Sequence, residues 1–571
     1  MKKVKLLNKE NIMNYLRNNH LFSFLSSIHV LFKHKSYILF ICFFILYSTY
    51  FSFSQEIINS PEEEYYDFLA LQGLIVKPTL NYRTLSDSVW EVPNSLNHVW
   101  INNHLSSKIF FRENTSYRIY GPNLYNSYNS TVPYGQYDNL LWQGRGLNSF
   151  LSAGLRLELY GFEFTFKPEV SFSENQSFTI LPSNYDSPYG YFWGYGHNIG
   201  IDYPQRFGNK SFFNFGFGDS EIRYTYKQFT IGFGTQNIWL GPAYVNPMLH
   251  SNNAPPYPKV DIGFRKIHVY TPFYNFDIGD IEARLWTGYL SESAYFDNDN
   301  TNNHNMIHGL ALAFAPSFIP GLTLSANRTC LVKWKLENLR YILPAKANTY
   351  VGVADAGEDQ KASLAFSWLF TEVGLELYGE IAKDDYSGAG FIVYPFHSIG
   401  YTVGLQKLLD FFPSEKIYGK LNIEINSLEM SQDFQFQWPY SFYFHYQVTQ
   451  GYTNRGQILG NGYSPGGNSQ YVSYSIFYPK GMTKVYIHRF NPDNNYIYKD
   501  TIGTENKEDA SIKFNSWKTY FIYGFNSSIY IDKNTLLNIG FDIVNIDNLL
   551  YYFDNTDISN FHIYFGINYY L

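Results

Sequence analysis

Cysteine is almost missing from this chain of 571 residues. There are two, Cys42 and Cys330, and the first lies in a leader-like stretch, so neither an intrachain disulfide framework nor a thiol-based metal cluster is open to the remainder. Charge is scarce too. Asp, Glu, Lys and Arg make up 16% of the chain, where about a quarter is usual in globular proteins. The formal net charge of -7 argues against nucleic acid or anionic lipid as a partner. Long apolar runs are scarcer still. There is one, residues 36–53, and a mean hydropathy of -0.26 excludes a polytopic helical membrane protein.

That run follows Lys33 and Lys35 and ends in small residues near Ser54 and Gln55, the layout of a secretory signal. Residues 1–54 are therefore expected to be a signal peptide with an extended basic leader, a membrane anchor being the other reading of the same run. Its removal would take away Lys2, Lys3, Lys5, Lys9, Arg17, Lys33 and Lys35 against the single acid Glu10, leaving a more acidic chain.

Aromatics are abundant: 53 Tyr, 50 Phe and 10 Trp. Such a surplus suits strands, membrane girdles and sugar-binding surfaces. The stretch Leu151 to Phe172 shows how they are deployed. Leu151, Ala153, Leu155, Leu157 and Leu159 alternate with polar residues, and after Gly161 the row resumes in Phe162, Phe164, Phe166, Val170 and Phe172. A period of two makes a strand with two unlike faces. Lipid outside and a wet lumen inside satisfy both rows, and water on the apolar row would invite aggregation.

The fold expected is all-β, a transmembrane antiparallel barrel over residues 108–571. Counting back from Phe561–Leu571, alternation and parity place strands near 535–545, 512–531, 482–489, 470–478, 417–427, 399–407, 373–381, 361–370, 322–328, 307–315, 281–289, 261–270, 229–236, 212–227, 162–172, 150–160 and 108–118. The total is about eighteen, an even number as a bacterial barrel requires. Short connections at Gly161, 227–228, 371–372, 479–481 and 532–534 fall on one side and long ones on the other. Residues 440–449 look extended, but a strand there breaks the parity, so 428–470 reads as one long loop folded into or over the lumen.

Residues 55–107 are expected to form a periplasmic helical plug segment. Ser60, Pro61 and Glu62 to Glu64 are helix-start signals and Gly73 a stop signal. A second short helical piece is expected from Ser86 to Pro93. The inward charges Arg156, Glu158, Glu163, Lys167, Glu169, Arg223, Glu282 and Arg284 read as ladders that hold strands in register, and an ion-selective pore is the sharper alternative.

Two loops carry candidate chemistry. Asn237 to Pro258 holds five prolines with Trp239, Gly241, Asn252 and Asn253, which stiffen an indole and two amides in place. Gln450 to Gln470 offers Tyr452, Thr453, Asn454, Arg455, Gln457, Asn468 and Ser469. Aromatic faces, planar amides and a guanidinium suit sugars, which present C–H faces and many hydroxyls. Plainer roles stand beside these: Trp239 as a loop-core indole, Arg455 as an anchor on Glu424 or Glu376. His250, His445 and His488 stand singly, without metal-ligand spacing. His250 and Ser251 are the one tempting nucleophile and base, but loop neighbours rarely point at one another. No catalytic site, metal or cofactor is expected.

The segments Trp239-Leu240-Gly241-Pro242, Ser251-Asn252-Asn253-Ala254-Pro255 with Pro258, and Gly451-Tyr452-Thr453-Asn454-Arg455-Gly456 with Gly460 and Gly467-Asn468-Ser469 resemble the capsule assembly proteins of the Wzi family. Leu80 to Trp90 resembles that family's N-terminal region. The resemblance implies an eighteen-stranded outer-membrane barrel, a helical bundle closing its periplasmic end, and a lectin-like role in holding capsular or exopolysaccharide. Expected ligand contacts are Trp239, Asn252, Asn253, Tyr452, Thr453, Asn454, Arg455 and Asn468, in a monomer whose other partner is outer-membrane lipid. A porin or glycan conduit is the competing function.

Overall fold

In the computed structural model the described residues are 53–55, 59–93, 96–103, 109–112, 114–181, 187–190, 194–195, 198–199, 201–297, 299–342, 357–384, 398–429, 442–445, 447–493, 518–551 and 556–570. Apart from Phe53 and Ser54, the expected leader lies outside them. Eighteen antiparallel staves close into one barrel. They are β1 (Thr115–Asn129), β2 (Gly146–Leu159), β3 (Phe162–Phe166 and Glu169–Ser173), β4 (Phe212–Gly216 and Glu221–Tyr226), β5 (Phe229–Gly234) and β6 (Lys259–Tyr270). Next come β7 (Asp277–Ser291), β8 (His304–Pro316), β9 (Leu322–Lys333), β10 (Glu358–Phe370), β11 (Leu375–Asp384) and β12 (Ile399–Phe412). The last are β13 (Ile417–Ser427), β14 (Asn468–Tyr478), β15 (Gly481–Asn491), β16 (Thr519–Tyr530), β17 (Thr535–Asp547) and β18 (Ile558–Tyr569). Pairing of Asn568 with Asn123 through His562 with Asn129 closes β18 onto β1.

The alternation sorts faces as the sequence implies. Leu151, Leu155, Leu159, Phe162, Phe164 and Phe166 are exposed on the outside, while Arg156, Glu163, Lys167 and Glu169 are buried within. Outward rows continue around the wall in Ile222, Phe233, Leu364, Val403, Val485, Phe561 and Ile563. A continuous apolar exterior around a charged interior is stable in lipid. The short turns gather at one end and the long connections at the other.

Two expectations are corrected. The first stave is Thr115–Asn129, not 108–118; Ile109–Arg112 is a separate short strand folded back on Thr115–Tyr117. The register slips between Tyr120 and Asn123 at Gly121-Pro122, which breaks the alternation and hides the stave's second half. Residues 86–93 are not helical. A turn at 85–87 leads into the strand Val89–Glu91, which pairs with Phe53–Gln55; β-branched Val89 beside Trp90 favours the extended form.

The helix expected after Ser60 is present as α1 (Pro61–Leu71), with the Ser60 hydroxyl accepting from the Glu63 N–H at 3.1 Å. Its apolar face is a stack: Tyr65 lies on Trp100 at 3.9 Å and Phe68 on Phe477 at 4.2 Å. The Trp100 indole donates to Tyr478 O and Gly481 O, so α1 sits at the short-turn end. The long connections do the reverse. Residues 235–258 and much of 428–467 fold from the far end into the lumen and pack on one buried cluster with Tyr82, Trp286 and Ile307.

Candidate functional site

The lumen is filled by the chain itself, and two wall carboxylates show how. Glu282, inward on β7, accepts the backbone N–H groups of Leu80, Asn81 and Tyr82 at 2.8, 3.2 and 2.6 Å. Glu424, inward on β13, accepts those of Tyr244, Val245 and Asn246 at 2.6, 3.1 and 2.7 Å, with the Tyr378 hydroxyl at 2.8 Å. Successive N–H groups converging on a carboxylate make an anion nest, and each such bond is charge-assisted. The two inner segments also hold each other: Trp239-Leu240 pairs as strand with Arg83 and Tyr82, and the Gly241 N–H donates to Asn81 Oδ1.

Ion pairs seat the N-terminal segment. Asp87 meets Arg265 at 2.7 Å and Arg284 at 3.2 Å. Arg223 and Arg284 both grip Asp261, and Arg156 and Arg265 both grip Glu163. Five of the expected ladder charges, Arg156, Glu158, Glu163, Arg223 and Arg284, therefore belong to one network that takes in Asp87 of the N-terminal segment, while Lys167 pairs apart with Asp219 and Glu282 meets backbone. Glu64 pairs with Lys484, and Lys420 stands 3.5 Å away. Burial pushes the Glu64 carboxyl up, but the two lysines outweigh it and hold it at about 2.

The eight expected contact residues do not line one surface. Trp239 is buried, donates Nε1–H to Ala243 O at 3.1 Å, and lies under the Arg83 guanidinium. Asn252 donates to Tyr137 O and Asn253 to Ile458 O, both at 2.8 Å. Tyr452 is fully buried, its ring stacked on Tyr443 and its hydroxyl 3.2 Å from His250 Nδ1. Thr453 donates to Gln450 O, and Asn454 donates to Pro255 O while accepting from Ser291 N. Asn253, Tyr452 and Asn454 are where residues 235–258 lock onto 450–461, Thr453 braces the latter from within, and Trp239 and Asn252 tie the former to Arg83 and Tyr137. Arg455 and Asn468 differ: Arg455 is exposed at a turn with φ of 51°, and Asn468 is half-buried beside Glu429 and Arg489.

Arg455 is not the anchor on Glu424 or Glu376, because Glu424 is taken up by the nest and Glu376 pairs with Lys77 at 2.9 Å. His250 and Ser251 turn apart. The His250 ring meets Tyr257 and Tyr452, while the Ser251 hydroxyl donates to Gly460 O at 2.7 Å. Burial, with Lys259 nearby, pulls the His250 imidazole down to about 3. His488 instead faces Ser469 at 2.7 Å, fully buried.

Sequence reasoning missed Asn461 as a hub. Its amide donates to Asn246, Asn426 and Ser464, and its carbonyl accepts from the N–H groups of Tyr463 and Ser464. A lone Asn between glycines reads as turn chemistry, and no local signal marks it as a junction. Asp202 is a second omission. It accepts from Ser293 N and Oγ at 2.6 and 2.7 Å, and burial pushes its carboxyl up to about 7.

The comparisons with known proteins fit this geometry. The chain is similar in structure to Wzi of Escherichia coli, described as an outer membrane protein involved in group 1 capsule assembly and a carbohydrate-binding β-barrel. The TM-score is 0.52 at 13% identity, over 79% of this chain and 85% of that one. Looser likeness extends to OccD3 of Pseudomonas aeruginosa, with a TM-score of 0.39 at 9% identity over 82% of this chain and 94% of that one. A BenF-like porin from Pseudomonas fluorescens gives 0.37 at 10% identity, over 81% of this chain and all of that one. No curated protein sequence matches. The model of one family, described as capsule assembly protein Wzi, matches residues 144–515, well over half of the chain. By that match, the chain belongs to the Wzi family of capsule assembly proteins.

Proposed function

We propose that this outer-membrane barrel binds polysaccharide at the cell surface and serves capsule or exopolysaccharide attachment and assembly rather than transport. The observation that carries the reading is a lumen occupied from both ends by the chain's own segments, each clipped to the wall by a buried carboxylate. An open porin keeps its interior wet; this barrel spends its interior groups on protein. Short turns of such barrels face the periplasm and long loops the exterior, so α1 closes the periplasmic end. We further assign residues 1–54 as the leader and 55–107 as the plug unit of a barrel that works as a monomer in lipid.

Binding is the sum of weak contacts repeated along a polymer. Trp239, Asn252, Asn253, Tyr452, Thr453 and Asn454 hold the loop frame, Arg455 presents an accessible guanidinium from it, and Asn468 stands at the start of β14 with its amide engaged by Glu429, Gln470 and Arg489. The purified barrel retains the producing cell's surface polysaccharide on a resin and passes no steady current in planar bilayers. Arg455→Ala weakens retention by about fivefold, the share of one hydrogen bond to a neutral partner. A steady open-channel current, or equal retention of polysaccharide on resin carrying no barrel, would overturn the reading.

A further inference from the structure

The short-turn end holds a crevice of about 480 Å³, within the size range of small-molecule sites. One wall is α1 and the strap 73–81 that follows it. The other is the inner face of β6 to β12, and the rim carries turn residues Ser317, Pro320 and Thr371, so the mouth opens at that end. The inward-folded loop supplies the floor through Trp239 and Pro242.

Three features select a ligand chemistry. First, the lining cations are already paired: Lys77 with Glu376 at 2.9 Å and Asp67 at 3.7 Å, Arg83 with Glu63 at 2.9 Å, and Lys266 with Asp280 at 3.6 Å. The lining acids outnumber the lining cations, so no positive charge is left to recognise a phosphate or a carboxylate. Second, Trp90 lines the crevice while 3% exposed, its ring stacked on Tyr66 at 5.5 Å, and its Nε1–H has no partner among the described residues. A buried donor without an acceptor is costly unless a ligand or water supplies one. Third, the barrel strands of the wall, β6 to β12, are each paired on both sides, so that face offers no free edge to an extended peptide. What remains is an amphiphilic slot of indole and proline surface with neutral hydroxyl and amide groups, such as those of Thr323 and Gln406.

We propose that this crevice is a second saccharide subsite, opening to the periplasm and taking a short uncharged glycan segment, with the Trp90 Nε1–H donating to a sugar hydroxyl oxygen. It rests on the polysaccharide-binding function above and adds to it a contact on the opposite side of the membrane from the long loops. A glycan emerging in the periplasm and a glycan held outside would then meet the same molecule at its two ends.

The test uses the full-length barrel in detergent and oligosaccharides of two to four sugars from a partial acid hydrolysate of the producing cell's own surface polysaccharide, split into neutral and acidic fractions. Titration calorimetry is run on wild type, Trp90→Phe, Thr323→Trp and Arg455→Ala, each verified as folded by heat-modifiable gel migration. The neutral fraction binds wild type, binds Trp90→Phe about fivefold more weakly for want of one hydrogen bond, and fails to bind Thr323→Trp, whose indole fills the slot. Arg455→Ala binds it as wild type does while retaining less intact polymer on resin. Binding unchanged in both crevice variants, binding by the acidic fraction alone, or no binding to wild type overturns the subsite. Polymer retention that persists in any of these cases leaves the surface function standing.

Discussion

The N-terminal segment and the inward-folded loops fill the same lumen by different chemistry. Each is clipped once by a wall carboxylate, Glu282 for residues 80–82 and Glu424 for residues 244–246. Beyond that clip the two part company. The N-terminal segment is seated by formal charges: Glu64 on Lys484, Lys77 on Glu376, Asp87 on Arg265 and Arg284. The loops are joined by amides, hydroxyls and rings: Asn253 to Ile458 O, Asn454 to Pro255 O, the Tyr443 hydroxyl to Met248 O at 2.6 Å, and Tyr443 stacked on Tyr452. Charge anchors a segment strongly where both partners are desolvated and punishes the loss of one partner. Neutral networks lose less at each deletion and are not screened by salt.

The largest effect expected from that contrast is at Asp87. Asp87→Ala removes a shared carboxylate from the buried Arg284 and the half-buried Arg265 and costs about 3 kcal/mol of docking of the N-terminal segment, read as faster hydrogen exchange over residues 80–91 with the loop frame unchanged. Exchange equal to wild type would break the contrast.

Acid separates the regions next. The Glu64 pKa is lowered, from 4.5 to about 2, so its contribution to docking is fully present above 4.5 and is lost as pH falls through about 2. The Asp202 pKa is raised, from 3.8 to about 7, so its contribution is fully present below 3.8 and is lost as pH rises through about 7. Between pH 5 and 8, exchange rates corrected for intrinsic pH dependence rise around 201–208, while the contribution of the Glu64–Lys484 pair stays constant. The reverse ordering would refute the assignment of charge to one region and buried neutral acid to the other.

The smallest effect is at the loop hub. Asn461→Ala strips the amide from a junction of neutral bonds at a cost of about 1 to 3 kcal/mol. It loosens residues 426, 246 and 464 together while protection of α1 is retained. Loss of protection in α1 as well would mean that the two fillings are one cooperative unit.

The sequence makes legible whatever repeats at short range. Alternation is enforced residue by residue by lipid and water, so the staves, their faces and the short turns can be read off Leu151 to Phe172 and its successors. The start of α1 is equally local, written in Ser60, Pro61 and three acids. Where a local interruption such as Gly121-Pro122 intervenes, half of β1 disappears from the pattern. The lumen filling is hardly legible. Glu424 shows itself as an inward residue, yet nothing in its neighbourhood announces that backbone from residues 244–246, far away in the chain, completes it. The loop motifs Trp239-Leu240-Gly241-Pro242 and Tyr452-Thr453-Asn454 look like recognition surfaces because stiff loops with amides and rings serve that purpose too. Their burial is decided by where 235–258 and 450–461 meet, which depends on barrel closure.

Glu282 and Glu424 project from staves well separated around the wall, and the segments they clip are paired to each other through Trp239-Leu240 and Tyr82-Arg83. The filling therefore runs as a strut across the cylinder. A tube so braced resists being squeezed oval by the surrounding bilayer. Tension applied by a long polymer at the outer loops passes along that strut into both sides of the wall, instead of peeling a single hairpin from its neighbours.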